Sequence, residues 1–213
     1  MHDRLPYFYI TGGDPILHPD FWQLLELLKT HSIPFTILGN PFHLNDAVCQ
    51  RLKNYGCEKY QLSIDGLRET HDWFRKPGSF DTTLEKIGCI NRAGIRSVVM
   101  TTVSGKNIDE VPGIIDAVVA AGANVFAFAR YCPTSGEKDT GIAPLRYRQL
   151  LADCDKKFKE YEAAGCRTAG WAMCSRIGWP MCGSARWSST GTTPALPNAP
   201  SVNCWPSAGA ARL

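Results

Sequence analysis

The chain has 213 residues, of which 44% are hydrophobic, and this length suits one globular domain with a sizeable core. The net charge of +3 is small and is not gathered into basic runs, which argues against a nucleic acid or an anionic membrane surface as the main partner. No apolar run reaches the roughly 20 residues that a membrane helix needs, and the N-terminus lacks the form of a signal peptide, so we expect a cytoplasmic protein.

Five strands are predicted from short β-branched and aromatic runs, which alternate with longer segments of helical period. They are Tyr7–Thr11, Ile33–Leu38, Lys59–Ile64, Arg96–Val103 and Asn124–Ala129. This alternation is typical of a parallel sheet with crossover helices, so the predicted fold class is α/β, either most of a barrel or an open doubly wound sheet.

Five apolar stripes at helical spacing follow these strands. The first begins after Pro19, the third after the candidate N-cap Ser79, and the last after Pro144. The stripes are Phe21, Leu24, Leu25 and Leu28; Val48, Leu52 and Tyr55; Phe80, Leu84 and Ile87; Val111, Ile114, Ile115 and Val118; and Tyr147, Leu150, Leu151, Cys154, Phe158 and Tyr161. Gly94, Gly122 and Gly165 are the predicted ends of the last three helices.

The composition changes abruptly after Gly165. All 20 acidic residues lie in the first 165 residues, whereas residues 166–213 contain no Asp, Glu or Lys and are rich in Pro, Ser, Gly and Ala. We therefore predict a structured domain over residues 1–165 and an irregular or disordered tail over 166–213. One hypothesis is that the reading frame is lost near residue 166, so that the tail is not an evolved sequence.

The nine cysteines are scattered along this chain, at positions 49, 57, 89, 132, 154, 166, 174, 182 and 204. Without an export signal they are expected to be reduced thiols. No two of them form a CxxC pair, so the sequence does not predict a metal site from the cysteines alone.

Four segments at predicted strand ends are candidate sites, because ligands of parallel α/β folds bind at the carboxyl ends of the strands. They are Thr11-Gly12-Gly13-Asp14-Pro15, Ser63-Ile64-Asp65-Gly66, the segment from His71 to Phe80 that contains Arg75, and Arg130-Tyr131-Cys132-Pro133-Thr134-Ser135-Gly136. Paired glycines allow close backbone approach, an acid accepts hydrogen bonds from an ammonium group, and an arginine binds a carboxylate bidentately. Each segment alone is also typical of a tight turn or a solvated loop.

In this order and spacing the segments resemble the radical S-adenosylmethionine superfamily, especially its peptide-modifying members with a SPASM or twitch extension. Thr11–Pro15 is similar to the family's GGE motif, and Ser63–Gly66, His71-Asp72, Arg75 and Gly78-Ser79-Phe80 are similar to its SxDG, HDxxR and GSF motifs. The resemblance covers roughly residues 5–164. It implies a partial (β/α)6 barrel of the TIM-like radical SAM type.

The resemblance also implies the cofactor and the residues that bind it. Gly12, Gly13 and Asp14 would receive the methionine amino group of S-adenosylmethionine, Ser63 and Arg75 would hold its carboxylate or ribose, and Arg130 would lie close to the cofactor or the substrate. It further implies a [4Fe–4S] cluster, an electron donor protein and, as substrate, a ribosomally made peptide that is modified by radical chemistry, for example by thioether formation.

This sequence departs from the family pattern in two ways. Asp14 stands where the family usually has Glu, which shortens the side chain by one methylene. The sequence also starts at what resembles the family's second strand and shows no CxxxCxxC loop, so the resemblance predicts a truncated chain that does not hold the cluster.

Two other functions remain open at this point. The chain is either an inactive fragment without catalytic function, or a metal-dependent barrel hydrolase or aldolase that uses His18, His71, Asp72 and Asp65 as ligands or bases. The missing first strand would leave the edge of Tyr7–Thr11 open, and we therefore expect poor solubility in isolation.

Overall fold

The computed structural model describes residues 6–133, 141–165 and 171–174. All of them lie within the unit Met1–Met181. They form a six-stranded sheet in which every pair of neighbours is parallel and the strands follow one another in sequence order. The strands are β1 Phe8–Ile10, β2 Phe35–Leu38, β3 Cys57–Ser63, β4 Arg96–Val103, β5 Val125–Arg130 and β6 Trp171–Cys174.

The five predicted strands are confirmed, with small shifts at their ends. β2 begins at Phe35 rather than at Ile33, because the Ile33 N–H donates to Leu28 O and closes the preceding helix, while Pro34 has no N–H. The sixth strand was not predicted. It lies in the segment for which the composition predicts an irregular tail, and it pairs in register with β5 from Phe126 to Ala129. The other residues of that tail lie outside the described residues.

Within the described ranges, six helices lie in the connections between the strands. They are α1 Phe21–Thr30, α2 Asp46–Asn54, α3 Arg68–Phe74, α4 Ser79–Arg92, α5 Val111–Ala120 and α6 Pro144–Ala163, and short 3₁₀ turns cover Pro15–Leu17 and Ile108–Glu110. Every predicted helix is present. Helix α3 is not predicted from the sequence, because its seven residues carry no apolar stripe. In the structure only His71 of this helix is buried.

The helices pack their apolar stripes on the sheet and form one continuous core with it. Its largest fully buried side chains include Phe35 and Ile37 of β2, Tyr60 of β3 and Leu25 of α1. The predicted stripes therefore identify most of the helical core, although Leu24 of the first stripe is 42% exposed. No helix in the described part of the chain is long and apolar enough to cross a membrane.

This topology fixes where a site can form. All strands run in one direction, so the segments that follow Ile10, Leu38 and Ser63 leave the sheet side by side at the carboxyl ends of the strands. Within the described residues the sheet does not close, and β1 and β6 are its two outer strands.

Candidate functional site

The segment after β1 is a glycine turn that leads into an acidic residue. Gly12 and Gly13 have φ angles of 109° and 48°, a region that residues with a Cβ rarely adopt. A Cβ at either position would meet no atom within 4 Å, so the backbone conformation, not lack of space, requires glycine here. The turn delivers Asp14, and the 3₁₀ turn that starts at Pro15 follows at once.

The Asp14 carboxylate is buried, and only one of its two oxygens has a hydrogen-bond partner among the described residues. Its side chain is 3% exposed, and Oδ2 lies 2.7 Å from Nδ1 of His43. Oδ1 is buried and has no hydrogen-bond partner among the described residues. A buried carboxylate oxygen without a donor is unfavourable, so this atom is the natural place for a ligand's N–H group.

The loop after β2 is tied to the glycine turn. Asn40 Nδ2 donates to Gly13 O at 3.3 Å, and the Tyr60 hydroxyl donates to Asn40 O at 3.2 Å. Gly39 allows this arrangement, because a Cβ there would clash with the Tyr60 hydroxyl. The two loops are therefore held side by side before any ligand binds.

Asp65, after β3, connects three segments. Its Oδ2 accepts from Arg75 Nε and Nη2 at 3.1 and 2.5 Å, and its Oδ1 accepts from Thr102 N at 3.0 Å. Its backbone carbonyl accepts from Asn107 Nδ2 at 2.7 Å. Arg75, predicted to bind a ligand carboxylate, is thus already paired through two of its nitrogens, although its side chain is 43% exposed.

His71 and Asp72 organise the start of α4. The His71 Nδ1 accepts from the Asp65 N–H at 3.0 Å, so Nε2 carries the proton and donates to Ser79 Oγ at 3.1 Å. Burial lowers the pKa of His71, which favours this neutral form. The Asp72 carboxylate accepts from the backbone N–H groups of Gly78 and Phe80 at 2.7 and 2.8 Å.

These contacts correct one expectation and weaken another. Gly78, not Ser79, is the N-cap of α4, and the cap acceptor comes from Asp72, six residues earlier. The four candidate metal ligands or bases, His18, His71, Asp72 and Asp65, all contact protein groups, and within the described ranges no three His, Cys, Asp or Glu side chains are grouped to hold a metal ion.

The loops after β1, β2 and β3 enclose a groove of about 350 Å³. Its lining residues are Asp14, Leu17, Gly39, Asn40, Pro41, Phe42, His43, Ser63, His71, Arg75, Lys76, Ser79 and Thr83. The structure thus brings together three of the predicted binding residues, Asp14, Ser63 and Arg75, in one concave site, and Gly12 and Gly13 shape the turn that carries Asp14.

Arg130 does not line this groove. It lies at the end of β5, where Nη2 donates to Ile142 O at 2.6 Å and the guanidinium lies 5.7 Å from the Tyr147 ring centre. The described contacts of Arg130 therefore fix the segment before α6.

His43 is not among the residues predicted from the sequence, and Lys76 lies in the third candidate segment but has no predicted role. Lys76 lies with Nζ 3.3 Å from the centre of the Phe42 ring at the rim of the groove. His43 follows β2, and the rule that directed attention to the other strand ends would have found it.

Comparison with known proteins identifies the class to which this fold and groove belong. Residues 1–118 match the family model of the radical SAM superfamily. This match covers more than half of the chain, so the chain belongs to the radical SAM superfamily.

Among curated proteins, the AdoMet-dependent heme synthase of Methanosarcina barkeri is 28% identical over 149 residues, which are 68% of this chain and 43% of that protein. Mycofactocin maturase MftC of Mycobacterium ulcerans is 30% identical over 121 residues, which are 54% of this chain and 33% of that protein. The crystal structure of Streptococcus suis SuiB has a TM-score of 0.64 at 16% identity, over 80% of this chain and 39% of that one. The chain spans less than half the length of these relatives.

These findings confirm the predicted family and the predicted radical SAM type of α/β fold. Membership of the family implies S-adenosylmethionine and a [4Fe–4S] cluster as cofactors. The groove fits the methionine end of S-adenosylmethionine, because Asp14, whose Oδ1 is buried without a donor among the described residues, lines it together with Ser63 and Arg75.

The described cysteines do not fit the cluster. Cys49, Cys57 and Cys154 are buried in the apolar core, where burial raises the pKa of each thiol, and within the described residues no three such side chains are grouped as a cluster requires. Cys89 is also buried, and Cys132 is exposed at the end of β5. No cluster site forms from the residues that the structure describes.

Proposed function

We propose that this chain forms the S-adenosylmethionine-binding part of a radical SAM enzyme, with the methionine end of the cofactor in the groove after β1, β2 and β3. The observation that carries the proposal is the buried Asp14 Oδ1, which lacks a donor among the described residues. An ammonium group supplies such a donor together with the opposite charge. In this superfamily the bound cofactor supplies one-electron chemistry to the substrate.

The carboxylate of the cofactor has matching partners in the same groove. Ser63 offers a hydroxyl, and Arg75 offers the nitrogen Nη1, since its described contacts with Asp65 use only Nε and Nη2. The Asp65 contact fixes the guanidinium, which lowers the entropic cost of ligand binding. Gly12 and Gly13 are not among the residues that line the groove, so in this proposal they act through the turn that carries Asp14.

We propose a peptide as the substrate class, and an electron donor protein as a further partner. Support comes from two relatives, MftC and the sporulation killing factor maturation protein SkfB of Bacillus subtilis, which is 29% identical over 118 residues. SuiB, which shares the fold, is known in complex with the precursor peptide SuiA.

A tetrapyrrole is the second candidate substrate, because the matches to AdoMet-dependent heme synthases cover more of this chain than the maturase matches do, 68% against 54% for MftC. Absorbance titration with iron coproporphyrin III separates the two candidates. A shifted Soret band at stoichiometric ratio would favour the tetrapyrrole. An unchanged band, with calorimetric binding of a short peptide encoded beside the gene, would favour the peptide.

Calorimetric titration with S-adenosylmethionine tests the binding site. We expect the wild-type chain to bind and both Asp14→Ala and Arg75→Ala to bind about tenfold more weakly or worse, since a hydrogen bond to a charged group contributes roughly 1.5–3 kcal/mol. Asp155→Ala and Arg146→Ala, exposed positions on α6, are matched controls that should bind like the wild type. Unchanged affinity in both groove variants would overturn the assignment.

A further inference from the structure

The partner of Asp14 is a feature that the family resemblance does not supply. Asp14 is one methylene shorter than the glutamate of the GGE motif, and in this chain its Oδ2 lies 2.7 Å from His43 Nδ1. We propose that His43 is a positioning residue, which fixes the Asp14 carboxylate so that Oδ1 receives the ammonium group of the bound cofactor. This inference rests on the proposed function of the groove.

The geometry assigns different tasks to the two carboxylate oxygens. Oδ2 is an acceptor, so Nδ1 of His43 is the donor in this contact. Oδ1 is buried without a donor among the described residues, which is a costly state for a free carboxylate oxygen. A side chain with two rotatable bonds would exchange these oxygens or turn away if nothing held it. The histidine contact removes that freedom.

The position of His43 is itself fixed by the loop after β2. Leu44, the next residue, is buried at 2% exposure, and its N–H donates to Pro41 O at 3.1 Å. Asn40 anchors the start of the same loop to Gly13 O. The His43 side chain is 46% exposed and the Asp14 side chain is 3% exposed. His43 therefore lies at the rim of the groove and contacts the buried carboxylate from the solvent side.

Among the charged groups that line the groove, only Asp14 can accept hydrogen bonds from an ammonium group as an anion. Within the described lining, Asp14 is the only acidic side chain, whereas Arg75 and Lys76 are cationic. His71 uses both ring nitrogens, one with the Asp65 N–H and one with Ser79 Oγ. The orientation of a single carboxylate therefore decides whether the amine subsite exists.

Calorimetry with two ligands tests this role. S-adenosylhomocysteine carries the amino-acid end, and 5′-methylthioadenosine lacks it. We expect His43→Ala to weaken binding of the first about three- to tenfold and to leave the second unchanged, since a typical hydrogen bond contributes about 0.5–1.5 kcal/mol. His43→Asn places an N–H donor where Nδ1 stood and should restore most of the affinity. His31→Ala, at the exposed end of α1, is the matched control.

The outcomes separate this inference from the function on which it rests. Normal binding of S-adenosylhomocysteine by His43→Ala, with loss in Asp14→Ala, overturns the role of His43 alone. Equal weakening of both ligands also overturns it, because that pattern indicates a general structural effect. If the alanine variant does not fold, His43→Leu takes its place with the same expectations. A folded wild-type chain that binds neither ligand overturns both the site and the inference.

Discussion

At the scale of single residues, most of the polar side chains of the motifs form hydrogen bonds to other groups of the protein. Asp65 binds Arg75 and the Thr102 N–H, while His71 binds the Asp65 N–H and Ser79. The exception is Asp14, with one buried oxygen lacking a donor among the described residues. The motifs therefore build a hydrogen-bonded frame, and the unpaired oxygen of Asp14 is the atom at which we propose that the ligand binds.

His71 should make the stability of the chain depend on pH. Its pKa is lowered in the folded state by burial, so the unfolded chain binds a proton more readily as the pH falls below the ordinary value of about 6.5. The free energy of unfolding should therefore decrease between pH 7.5 and pH 5.5. In His71→Gln this decrease should be smaller.

Urea denaturation at both pH values measures this effect. His31→Gln, which changes an exposed histidine, should keep the wild-type pH dependence. The same pH dependence in the wild type and in His71→Gln would show that the buried imidazole does not titrate as its contacts imply.

At the scale of elements, the start of α4 depends on a backbone conformation rather than on a capping side chain of its own. Gly78 has a φ of 75° and presents its N–H to Asp72 Oδ2. Gly78→Ala should destabilise the chain by about 1–2 kcal/mol, because a residue with a Cβ is strained in the left-handed region. The added methyl group itself meets no atom within 4 Å.

Thermal and chemical denaturation check this prediction. Gly141→Ala is the matched control, since Gly141 also has open space around its Cβ position but no positive φ. Its stability should be close to that of the wild type, and an equally stable Gly78→Ala would contradict the strain argument.

The elements were largely predictable from the sequence, because their signal is local. In the predicted stripe Phe21, Leu24, Leu25 and Leu28, all but Leu24 are buried, and β4 has the predicted bounds Arg96–Val103. The Asp14–His43 contact was not predictable, since the two residues are 29 positions apart and meet only when two loops leave neighbouring strands. Helix α3 has no apolar stripe, so periodicity could not reveal it.

At the scale of the whole molecule, the described sheet is open, and β1 is one of its outer strands. Phe8 of this strand is 44% exposed. An exposed apolar strand edge offers unpaired backbone groups to another chain, which favours association. The isolated chain should therefore self-associate.

A lysine on the outer strand should reduce this association, since charge at a strand edge opposes pairing. Sedimentation velocity of Phe8→Lys should show a larger monomer fraction than the wild type. Leu145→Lys makes the same chemical change at a 78% exposed position on α6 and should leave the distribution unchanged. A wild-type preparation that is monomeric and melts cooperatively would contradict the prediction.

The central claim is that the negative charge of Asp14 binds the amino group of S-adenosylmethionine. Calorimetric titration of the cofactor into the wild type and into Asp14→Asn tests it most directly, because the amide keeps the shape of the side chain and removes its charge. We predict binding by the wild type and a loss of about tenfold or more in the variant. Equal affinity of the two folded proteins would contradict the claim.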